Sequence, residues 1–228
     1  MIKSVSKKEM AEIDRKVPEK YCITISRMME NAGYQIADFI RQNIDEEKVT
    51  FYAGKGNNGG DALVAARRLH LWDHEVEVVL ATEDLDGIRK EELEILENLG
   101  VEINLETSEK EYSVAVEGLI GYNLKGNPRS PFDSMISEIN EYETVVSIDI
   151  ASGLEPDTGD RSDTCVRPDY SVTLAASFKG MDEDNSGEIW ITDIGVTPEA
   201  YEEFRFTGDF FEERSLVKKG LWRVSVLE

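Results

Sequence analysis

Apolar residues recur along the chain with two periods. Ser6, Lys7, Lys8 and Glu9 form a capping-box pattern, Ser and Glu three apart, that opens a helix. Met10, Ile13 and Val17 then share one face, and Pro18 is expected to end or interrupt that helix. Over residues 24–43 the stripe Ile25, Met28, Met29, Ala32, Ile36, Phe39 and Ile40 predicts a second helix packed on a core. Residues 49–53 read as the first strand, followed at once by a glycine-rich loop over 54–61. A helix starting near Asp61 carries Leu63, Val64, Ala66 and Leu69 inward. A strand over 75–81 precedes a helix through Leu85, Ile88, Leu93, Leu96 and Leu99, stopped by Gly100. Strands are then expected at 101–105, 112–120, 144–150, 170–176 and 188–194, with a helix over 131–140. The segment 204–228 reads as a short helix and a strand packed on the domain edge.

Strands alternate with helical segments, so the expected architecture is α/β, a mostly parallel central sheet covered on both faces. The sequence shows no internal repeat, low-complexity tract or linker, so residues 1–228 are read as one domain.

Composition narrows the function classes. A formal net charge of −22 gives a surface that repels phosphate backbones, so general nucleic-acid binding is disfavoured. An anionic ligand would need a local refuge from that field, such as backbone N–H groups or a bound cation. There is no long apolar run to span a membrane, and residues 1–6 lack the apolar core of a signal peptide, so a cytoplasmic protein is expected. Cys22 and Cys165 form no metal or redox motif and read as reduced thiols. His70 and His74 stand four apart with no evident third ligand and read as surface residues.

In an open parallel sheet, ligands bind beyond the carboxyl ends of the strands. Four turns then become candidates. Gly54, Gly56, Gly59 and Gly60 make a loop that can bring backbone N–H groups close to a ligand at a helix N-terminus, which favours anions such as a pyrophosphate. The amide oxygens of Asn57 and Asn58 can ligate a hard cation, and their NH2 groups can reach phosphate or ribose. Asp149 ends an apolar strand and is aimed at the rim, where it could act as a general acid or base. Ser152 and Glu117 add oxygens from two further turns, and Lys179 could neutralise a phosphate or steer substrate. The P-loop pattern and the nucleophile-elbow pattern are both missing, which argues against a P-loop NTPase and an α/β-hydrolase.

These residues resemble one known family. Residues 56–61, Gly-Asn-Asn-Gly-Gly-Asp, followed by Leu63, Val64, Ala65, Ala66 and Arg67, resemble the signature of the NAD(P)H-hydrate epimerases, the YjeF N-terminal domain family. Met28-Met29-Glu30-Asn31-Ala32-Gly33 resembles its N-terminal helix, residues 117–126 its Asp-Ala-Leu-x-Gly-x-Gly-Leu segment, and residues 147–153 its Asp-Ile-Pro-Ser-Gly turn. The match continues through Asp157-Thr158-Gly159 and a closing strand at 188–195, covering about residues 5–200 in the family's order.

The resemblance implies a Rossmann-like three-layer αβα sandwich and an isomerase that interconverts the R and S epimers of hydrated NADH and NADPH. It implies substrate contacts from Asn57, Asn58, Gly59, Gly60, Asp61, Gly121, Tyr122, Asn123, Leu124, Lys125, Gly126, Asn127 and Asp149. It implies a potassium ion held by Asn58, Glu117 and Ser152. On the chemistry of the hydrate, Asp149 is expected to be the catalytic acid–base, with Lys179 second to it for placing charge. It leaves room for a homodimer and for work beside a separate dehydratase, since the chain is too short to hold the kinase-like dehydratase domain that many members carry. This sequence departs from the family pattern at Ala62 (usually Gly), Glu117 (Asp), Asn123 (Gly), Ala151 (Pro) and Phe178 (Pro). Two other classes stay open. A non-catalytic binding module of the same fold is favoured by those altered positions. A Rossmann oxidoreductase would use Glu83 or Asp84 on the ribose but would start its first strand nearer the N-terminus.

Overall fold

The computed structural model describes residues 4–106, 112–197, 199–200 and the strand 221–223. Its elements run α1 (Lys7–Tyr21), α2 (Ile25–Asn43), β1 (Lys48–Ala53), α3 (Asn57–His70), β2 (Glu75–Leu80), α4 (Gly87–Asn98), β3 (Glu102–Asn104), β4 (Val114–Gly118), α5 (Phe132–Ile139), β5 (Thr144–Ile148), β6 (Tyr170–Leu174), α6 (Glu183–Ser186), β7 (Glu188–Thr192) and β8 (Leu221–Arg223). The strands form one sheet in the order β3-β2-β1-β4-β5-β6-β7-β8. Every pairing is parallel except β7 with β8. That matches the expected mostly parallel sheet, and β8 supplies the edge strand expected in the 204–228 segment, the rest of which lies outside the described residues. Among the described residues no helix is long and apolar enough to cross a membrane.

The capping box at Ser6 forms as expected: Glu9 Oε2 accepts from the Ser6 N–H at 2.7 Å while Ser6 Oγ accepts from the Glu9 N–H at 3.3 Å. Pro18 does not end α1, which continues to Tyr21. A proline near the C-terminal end removes a single helical hydrogen bond, and Val17, fully buried, and Tyr21 keep that turn packed on the core. Helix α2 buries Phe39 against Tyr170 and Trp190, which anchors it to the β6–β7 half of the sheet. It meets α3 closely at Gly33, where a Cβ would stand 2.4 Å from Val64 Cγ1.

Among the boundaries that differ from the sequence reading, three matter to the rim. Helix α3 begins at Asn57 rather than near Asp61, because Gly56 is the extended N-cap. Both asparagines therefore sit in the first helical turn. Strands β5 and β6 stop at Ile148 and Leu174 because the next residues, Asp149 and Ala175, take left-handed φ values of 67° and 69°. At each, a tight turn closes through a 2.8 Å bond, Ile150 N–H to Ile148 C=O and Ala176 N–H to Leu174 C=O.

Candidate active site

The strand order reverses between β1 and β4, so the connections after these two strands leave to opposite sides and open a crevice between them. A cavity of about 240 Å³ lies there. One wall is apolar, from Met10 of α1 and Ile25, Met28, Met29 and Ala32 of α2, with Leu174 and Ile194 completing it. The other is polar, from Gly56, Asn57, Asn58, Asp61, Gly121, Tyr122, Asn123 and Asp149, with Asp14 contributed by α1.

Two carboxyl groups form the floor. Asp149 is 5% exposed and held in its left-handed turn, a conformation that costs an L residue about 1–3 kcal/mol and persists only where the surroundings dictate it. Its Oδ1 accepts a 3.3 Å bond from the Leu174 N–H. Burial raises its carboxyl to about 7, opposed by that hydrogen bond and aided by the nearby charge of Asp14. Asp61 is 4% exposed and carries no hydrogen bond among the described residues. Burial first, then the charges of Asp149 and Asp14, pushes it well above the usual carboxylate range. A low-dielectric pocket with two raised carboxyl groups, Asp149 at about 7, is suited to proton transfer at physiological pH.

Asn58, Glu117 and Ser152 are brought together beside this floor. Glu117 is fully buried: its Oε1 accepts from Ser147 Oγ at 2.8 Å and Ser152 N at 2.9 Å, its Oε2 from Ser152 Oγ at 2.7 Å and Leu119 N at 3.1 Å. Ser152 Oγ in turn accepts from Ile120 N at 2.8 Å. Asn58 donates to the Ile148 carbonyl at 3.0 Å and lies against Gly121. Burial pushes the Glu117 carboxyl up to about 7, against the pull of its bonds from Ser152, Leu119 and Ser147. Among the described residues Glu117 has no lysine or arginine partner. A buried carboxylate without a counter-charge, amid hydroxyl and carbonyl oxygens, fits a hard monovalent cation.

The 121–127 turn divides between spaces. Gly121, Tyr122 and Asn123 line the main cavity, while Leu124, Lys125 and Asn127 line an adjoining groove of about 470 Å³ with Lys55, Gly56 and Arg129. Gly126 lines a smaller hollow with Gly153 and Arg161. Gly59 and Gly60 do not face the cavity. A Cβ on Gly59 would stand 1.7 Å from the Gly54 carbonyl oxygen, and one on Gly60 2.5 Å from Met29 Cε. Their lack of a side chain serves the packing of the turn and of α3. Lys179 is also outside the cavity lining: its Nζ pairs with Glu9 Oε2 at 3.0 Å.

The sequence reading missed Asp14 and the apolar wall. Met28 and Met29 look like ordinary core positions, and they are mostly buried, yet they also line the cavity. Asp14 follows Met10 by one helical turn, which marks a shared face but not what that face meets. Tyr122 donates its hydroxyl to Asp14 Oδ2 at 2.5 Å.

A family model described as YjeF-related protein N-terminus matches residues 25–180. An NAD(P)H-hydrate epimerase of Cenarchaeum symbiosum is 38% identical over 185 residues, covering 76% of this chain and 86% of the relative. One of Dehalogenimonas lykanthroporepellens is 32% identical over 204 residues, covering 84% and 82%. A bifunctional NAD(P)H-hydrate repair enzyme of Archaeoglobus fulgidus is 31% identical over 214 residues, 90% of this chain but 44% of the relative, so the chain spans less than half of that longer protein. The crystal structure of a yeast protein superposes with a TM-score of 0.84 at 23% identity, covering 98% of this chain and 100% of that one, a likeness of fold.

Proposed function

We propose, from the premise that this chain belongs to the YjeF-related N-terminal family, that it is an epimerase interconverting the R and S forms of hydrated NADH and NADPH. The observation that carries the reading to chemistry is Asp149: a buried carboxyl, raised to about 7, at a strand end beside an apolar wall. In the hydrate, the C6 hydroxyl stands next to the ring nitrogen. The nitrogen lone pair can expel it, leaving a cationic iminium to which water returns on either face. Protonated Asp149 gives its proton to the departing hydroxyl. The resulting carboxylate favours the cation by proximity of opposite charge. The apolar wall of Met10, Met28 and Met29 limits the water around the ring.

The nucleotide tail is accommodated by the groove next door. Lys55, Lys125 and Arg129 converge on it in a chain whose formal net charge is −22, and Gly56 opens the N-terminus of α3 onto the same space. This supports placing the pyrophosphate there. A potassium ion held by Asn58, Glu117 and Ser152 would supply the counter-charge that Glu117 lacks and fix the 119–123 turn. Lys179, in this reading, acts on the position of α1 through Glu9. The two free thiols, Cys22 and Cys165, support a reducing cytoplasmic setting. A homodimer and a separate dehydratase are the partners this reading expects; bifunctional relatives support the second.

The test is direct. Mixed hydrate epimers are depleted of one form by a dehydratase specific for it, and the other form is followed. The expected result is continued conversion until both are consumed. Persistence of the second epimer at its uncatalysed rate would leave a binding module and overturn the epimerase.

A further inference from the structure

We infer that Tyr122 and Asp14 form a second acid–base pair of this reaction, serving the mouth-side face of the bound ring while Asp149 serves the floor side. The inference rests on the epimerase reading. It names a residue on α1, which lies ahead of the stretch that the family model matches.

The cavity has acids at two depths. Asp149 and Asp61 are almost wholly buried, whereas Asp14 is exposed at the opening, on a different element, and lines the same space. The Tyr122 hydroxyl joins them: it is part of the cavity lining and donates to Asp14 at 2.5 Å, the length of a hydrogen bond to a charged acceptor. Burial, and then the charge of Asp14, holds the tyrosine well above its ordinary pKa, so it carries its proton and passes one on rather than resting as a phenolate. Asp61, nine-tenths buried and without a hydrogen-bond partner among the described residues, lines the cavity between these elements and marks it as built for a ligand.

The position of α1 is fixed by several polar ties. The Val5 N–H donates to the Ser177 carbonyl at 2.8 Å and the Lys179 N–H to the Val5 carbonyl at 2.9 Å. The Lys7 N–H donates to Asp157 Oδ1 at 2.7 Å, and Lys179 pairs with Glu9. These ties run from the β6 and β5 connections to the first turn of α1, and they hold Asp14 over the rim.

Inversion at C6 needs proton transfer on both faces. On the floor side the Asp149 carboxyl gives its proton to the hydroxyl, the C6–O bond breaks with its electron pair on oxygen, and the nitrogen lone pair forms N1=C6. On the mouth side a water oxygen forms the new C6–O bond as the N1=C6 pair returns to nitrogen. The water gives a proton to Tyr122 Oη while the tyrosine proton passes to Asp14. One proton enters and one leaves; Asp14 ends protonated and Asp149 ionised, and the next turnover in the opposite sense, or exchange with solvent, resets them.

Isotope exchange separates this from a one-acid mechanism. Each pure epimer is incubated in H2(18)O with the wild type, Asp14→Asn, Tyr122→Phe and Asp149→Asn, and both label and configuration are followed. The wild type should label and invert together. In Asp14→Asn and Tyr122→Phe, inversion should fall by about 100-fold or more, the ordinary scale for an acid–base group. In the same variants the epimer whose hydroxyl faces Asp149 should still exchange its oxygen with retention, and Asp149→Asn should show retention for the other epimer alone. Inversion at the wild-type rate in either mouth-side variant overturns the pair. So does parallel loss of exchange and inversion for both epimers in a variant that melts like the wild type, which would make α1 merely structural. Should Asp14→Asn not fold, Tyr122→Phe, which keeps the ring, decides alone. A wild type that neither inverts nor exchanges overturns the epimerase reading itself, a different failure.

Discussion

Ala62 of α3 and Gly118 of β4 share one space: a Cβ placed on Gly118 would stand 3.1 Å from the Ala62 Cβ and 2.3 Å from the Asn58 carbonyl oxygen. In the family pattern that this chain resembles, the Asp-Ala-Leu segment laid on residues 117–119 puts an alanine at the position of Gly118, and a glycine usually stands at the position of Ala62. Here the two are exchanged. A departure that looks like damage to the pocket when read one residue at a time is, in the fold, a compensated pair that keeps α3 close to the end of β4.

Gly118→Ala should therefore destabilise the protein by about 1–3 kcal/mol, the usual cost of overpacking. Adding Ala62→Gly should recover part of the loss, and only part, because the Asn58 carbonyl remains in the way. Chemical denaturation of the single and double variants checks this. A Gly118→Ala protein as stable as the wild type would show that the two elements are not in contact.

Lys179→Met should leave epimerisation within about threefold and stability within about 1 kcal/mol, since its partner Glu9 is a partly exposed ion-pair acceptor. A lysine acting on the substrate would instead cost about 100-fold or more. Turnover measured beside a thermal melt distinguishes a strap on α1 from a catalytic group.

Much of the fold was legible because the core alternates in simple periods. The stripe from Met28 to Ile40 and the runs at 49–53 and 144–148 have no other stable reading. The rim was harder. Left-handed Asp149 and Ala175 cut two strands short, and no side-chain pattern announces that for residues other than glycine. The candidate site was found through its glycines and asparagines, but Gly59 packs on the Gly54 backbone and Gly60 on the Met29 side chain, outside the cavity lining. Asp14 was invisible for a plain reason. Its chemistry depends on Tyr122, 108 residues away, and only the assembled sheet places α1 over that turn.

Potassium should stabilise the folded protein through the Glu117 site. The melting temperature should rise with KCl above the rise given by an equal concentration of a bulky ammonium chloride, since a ligand bound only to the native state adds RT ln(1 + [L]/Kd). Glu117→Gln should erase the difference between the two salts. Identical melting curves for the wild type in both would refute a cation at Asn58, Glu117 and Ser152.

Lys125→Ala with Arg129→Ala should raise KM for both hydrates by roughly tenfold, about 1.4 kcal/mol, with kcat nearly unchanged, because these side chains would meet the tail and not the ring. The salt dependence of kcat/KM should weaken in the same variant. A fall in kcat with KM unchanged would move the groove away from phosphate binding and toward the chemistry.

Asp149→Asn separates the reaction from the fold. Asparagine tolerates the left-handed φ of 67° and keeps the acceptor for the Leu174 N–H, so the backbone turn should survive. Epimerisation should fall by about 100-fold or more while hydrate binding persists, because proton transfer is lost but shape is not. Stability should change in the opposite sense. The carboxyl is raised from 3.8 to about 7 on folding, so the native state holds its proton more tightly than the unfolded chain. Its contribution is fully present below about pH 4 and is lost as pH rises through about 7. The asparagine variant has no such loss. Its melting temperature should equal that of the wild type in acid and exceed it above pH 7, while the wild-type kcat, which needs the protonated acid, declines over the same upper range and the variant's residual rate does not. A variant that melts lower than the wild type at pH 8, or that exchanges epimers at the wild-type rate, would mean that Asp149 caps a turn and does no chemistry.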